Sequence, residues 1–294
     1  MSDEREAAMT RDTLISPSQL REQLDNPAAK TLVADCSFEL ADAAAGRRAY
    51  DDGHLPGAVY VHLEDVLSAA KTGRNGRHPL PERERFADAM AALGADDDTL
   101  VVGYDNAGGM YAARLWWMLR WAGHGAAAVL DGGIAAWRAE RRLLAVGGPA
   151  ARRRGAFRLR ENLVPTADYA AVKANLDGGE RLVLDARAPD RYRGENETLD
   201  PVGGHIPGAK SIPWGRAVNP ETHTFRTAAE LRTIYEQENG LKSDQDIIAY
   251  CRIGERSSHT WFVLTYLLGH RQVRNYDGSW TEWGNSVGVP IERP

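Results

Sequence analysis

Short apolar runs recur along the chain, with stretches of helical periodicity between them. Leu32-Val33-Ala34, Leu100-Val101-Val102, Leu182-Val183-Leu184 and Ile247-Ile248-Ala249-Tyr250 have the length and polar bounds of buried strands. Trp261, Leu264, Thr265 and Leu268 recur at helical spacing over 260–268, and 109–121, rich in tryptophan and leucine, reads as a core helix. Strand and helix in alternation predict an α/β fold with a parallel sheet flanked by helices. Ligands of such sheets sit beyond the carboxyl ends of the strands. The ends at Tyr250 and Asp185 are therefore the places to look for chemistry.

The pattern is written twice. Leu32-Val33-Ala34-Asp35 returns as Leu182-Val183-Leu184-Asp185, and Gly53-His54-Leu55-Pro56-Gly57-Ala58 as Gly204-His205-Ile206-Pro207-Gly208-Ala209. Leu100–Tyr104 aligns with Asp246–Tyr250, and Val129-Leu130-Asp131-Gly132-Gly133 with Asn275-Tyr276-Asp277-Gly278-Ser279, both at an offset of 146. Order and spacing both hold, so the chain is a duplicated domain. We place the first copy at 16–146, a linker at 147–163 and the second copy at 164–294. Residues 1–15 are polar and expected to be mobile. Residues 71–85 read as a surface loop, and 191–203 as a polar insertion in the second copy. Arg152-Arg153-Arg154, in the linker, reads as a solvated stretch.

Composition narrows the class. The 294 residues carry a net charge of −5, which gives no general attraction to nucleic acid or to an anionic membrane. No apolar run approaches spanning length, and the start lacks a basic-then-apolar secretory pattern. Two cysteines, Cys36 and Cys251, are too few for a disulfide framework. A cytoplasmic protein is the expectation.

Cys251 follows the strand ending at Tyr250 and opens the loop Cys251-Arg252-Ile253-Gly254-Glu255-Arg256-Ser257-Ser258. A loop opening a helix is an anion site and favours thiolate over thiol. Arg252 and Arg256 add positive charge. Glu255 opposes it and is expected to pair with an arginine or to point outward. The duplication serves as an internal control. His54 and His205 occur in both copies and read as turn residues, and Asp35 and Asp185 as strand-end structure. Asp131 and Asp277 read as turn formers. The position matching Cys251 is Asp105, in the acidic loop Asp105-Asn106-Ala107-Gly108-Gly109, which would repel an anion. The first copy should then be catalytically silent. Arg187 belongs to the second copy alone, which marks it as a substrate anchor. Cys36 reads as inert and His259 as packed or solvated.

Two copies, a thiol-free first loop and a Cys-Arg-x-Gly loop in the second resemble the tandem-domain rhodanese family, the thiosulfate and 3-mercaptopyruvate sulfurtransferases. The nearest resemblance is to bacterial thiosulfate sulfurtransferases with a similar Cys-Arg-Ile-Gly-Glu-Arg loop. It implies that Cys251 attacks the sulfane sulfur of a small anionic donor, releases sulfite and becomes a persulfide, which a thiol or cyanide then discharges. It also implies substrate contacts from Arg187, Arg252, Ile253, Gly254, Glu255, Arg256 and Ser257, and no metal or organic cofactor. The loop arginines favour thiosulfate. Arg191 and Arg193 in the insertion keep 3-mercaptopyruvate open as donor, and a non-turnover sulfur-carrying or sensing module is a further alternative. A phosphatase of related fold is disfavoured, because four residues separate Cys251 from Arg256 where such enzymes have five.

Overall fold

The computed structural model describes residues 13–148 and 152–294. Each copy is built on a five-stranded, wholly parallel sheet flanked by helices. The first sheet holds β1 (Leu14–Ile15), β2 (Thr31–Asp35), β3 (Val59–Tyr60), β4 (Leu100–Tyr104) and β5 (Ala127–Leu130), in the order β1-β5-β4-β2-β3. The second holds β6 (Thr166–Ala167), β7 (Leu182–Asp185), β8 (Lys210–Ser211), β9 (Ile247–Tyr250) and β10 (Val273–Tyr276), in the order β6-β10-β9-β7-β8. The two orders are the same, strand for strand. The central strands β4 and β9 are buried along nearly their whole length, in keeping with their near-continuous apolar runs.

The cores repeat as well. Val33, Tyr50, Leu55, Tyr104 and Trp137 pack in one copy, and Val183, Ile206, Tyr250, Trp280 and Trp283 in the other. A buried polar device recurs inside them. The Tyr250 hydroxyl donates to Asp185 Oδ2 at 2.5 Å and accepts the Ile206 N–H at 3.2 Å, tying strand end to Gly-His-x-Pro-Gly turn. Tyr104, Asp35 and Leu55 repeat the arrangement. His54 and His205 stack on Tyr50 and Tyr192, at 3.9 and 3.7 Å between ring centroids, and each ring Nδ1 lies by the carbonyl of the tyrosine it stacks on. The histidines are structural parts of the turn.

The compact units do not follow the halves of the sequence. One contains residues through Ser68, Pro81–Leu163 and Asn219–Phe225; the other contains Ala69–Leu80, Val164–Val218 and Arg226–Pro294. Part of the stretch read as a surface loop is therefore internal to the second unit, and His78 and Pro79 in it are buried. The stretch read as a linker is hydrogen-bonded along the first unit, through Gly155 N–H to Ala91 O and Arg160 N–H to Ala122 O. Of residues 1–15, the first twelve lie outside the described residues, while Leu14–Ile15 pairs with β5 instead of being mobile.

One irregularity separates the copies. The helix Met110–Trp121 starts four residues after Asp105 at N-cap Gly109; the helix Glu255–Phe262 starts three residues after Cys251 at N-cap Gly254. The second copy has thus lost a loop residue. It regains one in the wide π-type turn Val263–Leu267 that continues the helix. The tryptophans mark the shift. The indole N–H groups of Trp116 and Trp261 donate to the carbonyls of Ala127 and Val273, the first residues of β5 and β10. The tryptophans are offset by 145 and the strands by 146.

Tyr104→Phe and Tyr250→Phe each remove a hydroxyl joining a buried carboxylate to a turn. Each should lower stability by about 1–3 kcal/mol, read as a fall in urea midpoint, with the two substitutions acting alike.

Candidate active site

The cysteine loop follows from its local sequence. β9 ends at Tyr250, the chain turns, and Gly254 takes φ +101°, a left-handed conformation suited to glycine. That turn aims the Gly254 N–H at Cys251 Sγ, 3.1 Å away. Ser279 braces the loop. Its Oγ accepts the Cys251 N–H at 3.1 Å and lies 3.9 Å from Sγ. The N–H groups of Trp280 and Thr281 donate to the carbonyls of Cys251 and Arg252. Ser257 and Ser258 hydroxyls both donate to Gly254 O, and Ile253 is buried. The first intrahelical bond runs from Ser258 N–H to Gly254 O. The N–H groups of residues 255–257 are the helix-terminal donors that have no carbonyl of their own helix to meet.

The first copy shows what such a loop accommodates. Asp105 is buried, and its carboxylate fills the equivalent nest. Oδ1 accepts the N–H groups of Ala107 and Gly109; Oδ2 accepts those of Tyr111 and Ala112. The acidic loop is thus an anion site already occupied by its own side chain. In the helix register, Gly109 N–H to Oδ1 corresponds to Gly254 N–H to Sγ. The donors on Oδ2 correspond to the N–H groups of Arg256 and Ser257.

The charged side chains are distributed differently from the sequence expectation. Arg187 is fully buried; Nε and Nη2 contact Asp185 at 3.0 and 2.6 Å, and Nη2 also donates to Gly204 O at 2.7 Å. Its guanidinium lies 4.5 Å from the Trp280 ring centroid. Burial opposes its charge, yet Asp185 and Tyr250 hold its pKa above the ordinary guanidinium value. These contacts place Arg187 in the strand-end network. Arg252 reaches Asp200 at 3.3 Å and Glu197 at 3.8 Å, and burial beside Arg191 nonetheless pulls its pKa below the usual value. Arg191 pairs with the same Glu197, and Arg193 with Glu195, so the insertion's arginines are engaged inside the insertion. Arg256 is half-buried over the Trp214 ring and forms no ion pair among the described residues. Glu255 neither pairs with an arginine nor points outward. It is 1% exposed, with Oε1 2.8 Å from His78 Nδ1.

The two repeated parallel α/β units have known relatives. Residues 16–140 and 168–286 match the family described as Rhodanese-like domain. The chain belongs to the rhodanese family. It is 38% identical to the "Sulfur carrier protein TtuD" of Thermus thermophilus, over 96% of this chain and 97% of that protein. It is 38% identical to the "Thiosulfate sulfurtransferase" of Corynebacterium glutamicum, over 96% and 90%. Among solved structures it resembles the Escherichia coli SseA protein, from a study of 3-mercaptopyruvate sulfotransferases, with TM-score 0.79 and 29% identity over 91% of this chain and 98% of that one.

Three parts of the candidate site escaped the sequence reading. Ser279 stands where the first copy has Gly133, and nothing in the sequence signals that its hydroxyl faces a loop 28 residues upstream. Glu197 and Asp200 lie in an insertion read for its arginines alone. His78 sits in the first copy's sequence, where the duplication gives no hint that it serves the second. The Cys36 thiol is buried, and burial first, then Asp105 and Asp35, push its pKa well above the usual value, which suits an inert residue. Among the described residues no group of three or more His, Cys, Asp or Glu is arranged to hold a metal, and no helix is long and apolar enough to cross a membrane.

Arg187→Ala leaves a buried Asp185 without its cation. Thermal and urea unfolding should register a loss of about 3–5 kcal/mol, largely recovered in Arg187→Ala with Asp185→Asn. A pure donor anchor would leave unfolding unchanged.

Proposed function

We propose that this chain is a sulfurtransferase in which Cys251 takes the sulfane sulfur of thiosulfate and passes it to a thiophile. The Cys251 thiolate attacks the outer sulfur, the S–S bond of thiosulfate breaks, and sulfite leaves with the electron pair. Cys251 is left as a persulfide anion. Cyanide or a thiolate then attacks the terminal sulfur and regenerates the thiolate. Atoms and charge balance in both steps, so no metal or redox cofactor is required.

The observation that carries this reading is the Asp105 nest. It holds two adjacent acceptor atoms, the oxygens of the Asp105 carboxyl group, one on Gly109 N–H and one on the N–H groups of Tyr111 and Ala112. The cysteine loop has Sγ in the first of these places. The second, facing the N–H groups of Arg256 and Ser257, suits the outer sulfur of a persulfide. Donors fixed by the fold stabilise that charge without reorganising. In the first copy the carboxylate holds the nest itself, which supports a silent first copy.

The donor is argued from charge. Arg256 is the loop cation without a carboxylate partner among the described residues, and a dianion gains most from it. The arginines that would have favoured the carboxylate of 3-mercaptopyruvate, Arg191 and Arg193, have carboxylate partners of their own. The carrier reading draws on the relative named as a sulfur carrier and differs in turnover, not in the persulfide step.

Incubation with thiosulfate should add the mass of one sulfur atom at Cys251, lost again on adding cyanide, and Cys251→Ser should abolish both loading and thiocyanate formation while the protein stays folded. Retained transfer by that variant would refute the mechanism. Loading without multiple turnovers would favour the carrier. Arg256→Gln should raise KM for thiosulfate about tenfold, with a smaller change in kcat, from loss of one charge-assisted contact.

A further inference from the structure

Glu255 is out of place on simple electrostatic grounds. It occupies the first position of the helix whose N-terminus holds Sγ, it follows the glycine whose N–H touches Sγ, and it is 1% exposed. A bare carboxylate so placed would oppose any anion in the loop, with little solvent to screen it. Its Oε2 is buried and has no hydrogen-bond partner among the described residues, while Oε1 meets His78 Nδ1 at 2.8 Å. His78 is itself buried. The segment carrying it is fastened to the elements that brace the cysteine loop. Arg77 N–H donates to Thr281 Oγ1 at 3.0 Å, and Thr281 N–H donates to Arg252 O. Gly76, at φ +79°, comes so close that an added Cβ would lie 3.1 Å from Gly278 O. The histidine is thus delivered to Glu255 by a tightly seated strap.

We propose that His78 is a positioning residue that offsets the buried Glu255 charge, so that the cysteine loop can receive an anion. The ring donates through Nδ1 to Oε1 at 2.8 Å, so the buried carboxylate faces a hydrogen-bond donor held against it. The acid retained in the loop is thereby made compatible with a thiolate, a persulfide and an anionic donor. This rests on the sulfur-transfer reading for its biological meaning. The charge compensation itself is testable without any sulfur donor.

The test is alkylation of Cys251 in the full-length protein, followed by mass spectrometry, with anionic iodoacetate and neutral iodoacetamide. Both displace iodide from carbon to form a thioether, and only one carries charge into the loop. His78→Gln should lower the ratio of iodoacetate to iodoacetamide rates by about tenfold, the effect of one uncompensated neighbouring charge worth about one pKa unit. Adding Glu255→Gln to His78→Gln should restore the ratio. An unchanged ratio in His78→Gln overturns the proposal, and so does a ratio that stays low in the double variant, since a packing role would not be rescued by removing a charge. If His78→Gln does not fold, Glu255→Gln alone decides: a ratio equal to or above wild type supports the proposal, and a tenfold fall refutes it. If alkylation behaves as expected while thiosulfate neither loads nor turns over, the sulfur-donor reading fails and the charge compensation stands.

Discussion

The first turn of a helix leaves N–H groups that no carbonyl of that helix can reach, and both copies of this chain are arranged around that demand. A parallel strand ends and a short loop turns through a left-handed glycine, so that a side chain from the loop meets the exposed donors. In the first copy an aspartate fills the nest. In the second a cysteine fills half of it. The two outcomes share sheet order, turn, capping glycine and core tryptophan, and they differ first in the side chain that meets the donors and in one loop residue.

That deletion has a cost in register. Shortening the loop alone would rotate the following helix by about 100° and misplace its apolar face. The wide turn at Val263–Leu267 takes up the lost residue late in the helix. The first part of the helix, with Trp261, keeps the packing of its counterpart, and β10 returns to its own offset. Wide turns of this kind often mark functional helices. Here the cause is geometrical: a tighter cradle at one end must be compensated before the next strand.

The fold was legible because it depends on patterns that survive duplication: apolar runs at strand length, a repeated turn and alternating elements. The cysteine stood out because the other copy lacked it at an otherwise matching place. The charges were less legible. Arg252 and Arg187 look like free cations beside a nucleophile, and both are paired with carboxylates, from the insertion in one case and from the strand end in the other. Sequence gives the presence of a charge but not its partner, and pairing is a long-range property. The one-residue shift was hidden for a similar reason. An ungapped comparison aligns Gly108 with Gly254, whereas the capping role belongs to Gly109.

His78 shows the sharpest limit of reading by copies. Comparing duplicates assigns shared residues to the fold and unshared ones to the chemistry of their own copy. Segment 69–80 breaks that logic, because it belongs to one copy by sequence and to the other by packing. Duplication freed each copy to specialise, and a specialised copy can lend a side chain as well as lose one. Glu255 makes sense only with that loan included. Without the imidazole it is a buried acid beside the cysteine loop; with it, the carboxylate has a hydrogen-bond partner, and Arg256 over the Trp214 ring remains a cation with no ion pair among the described residues.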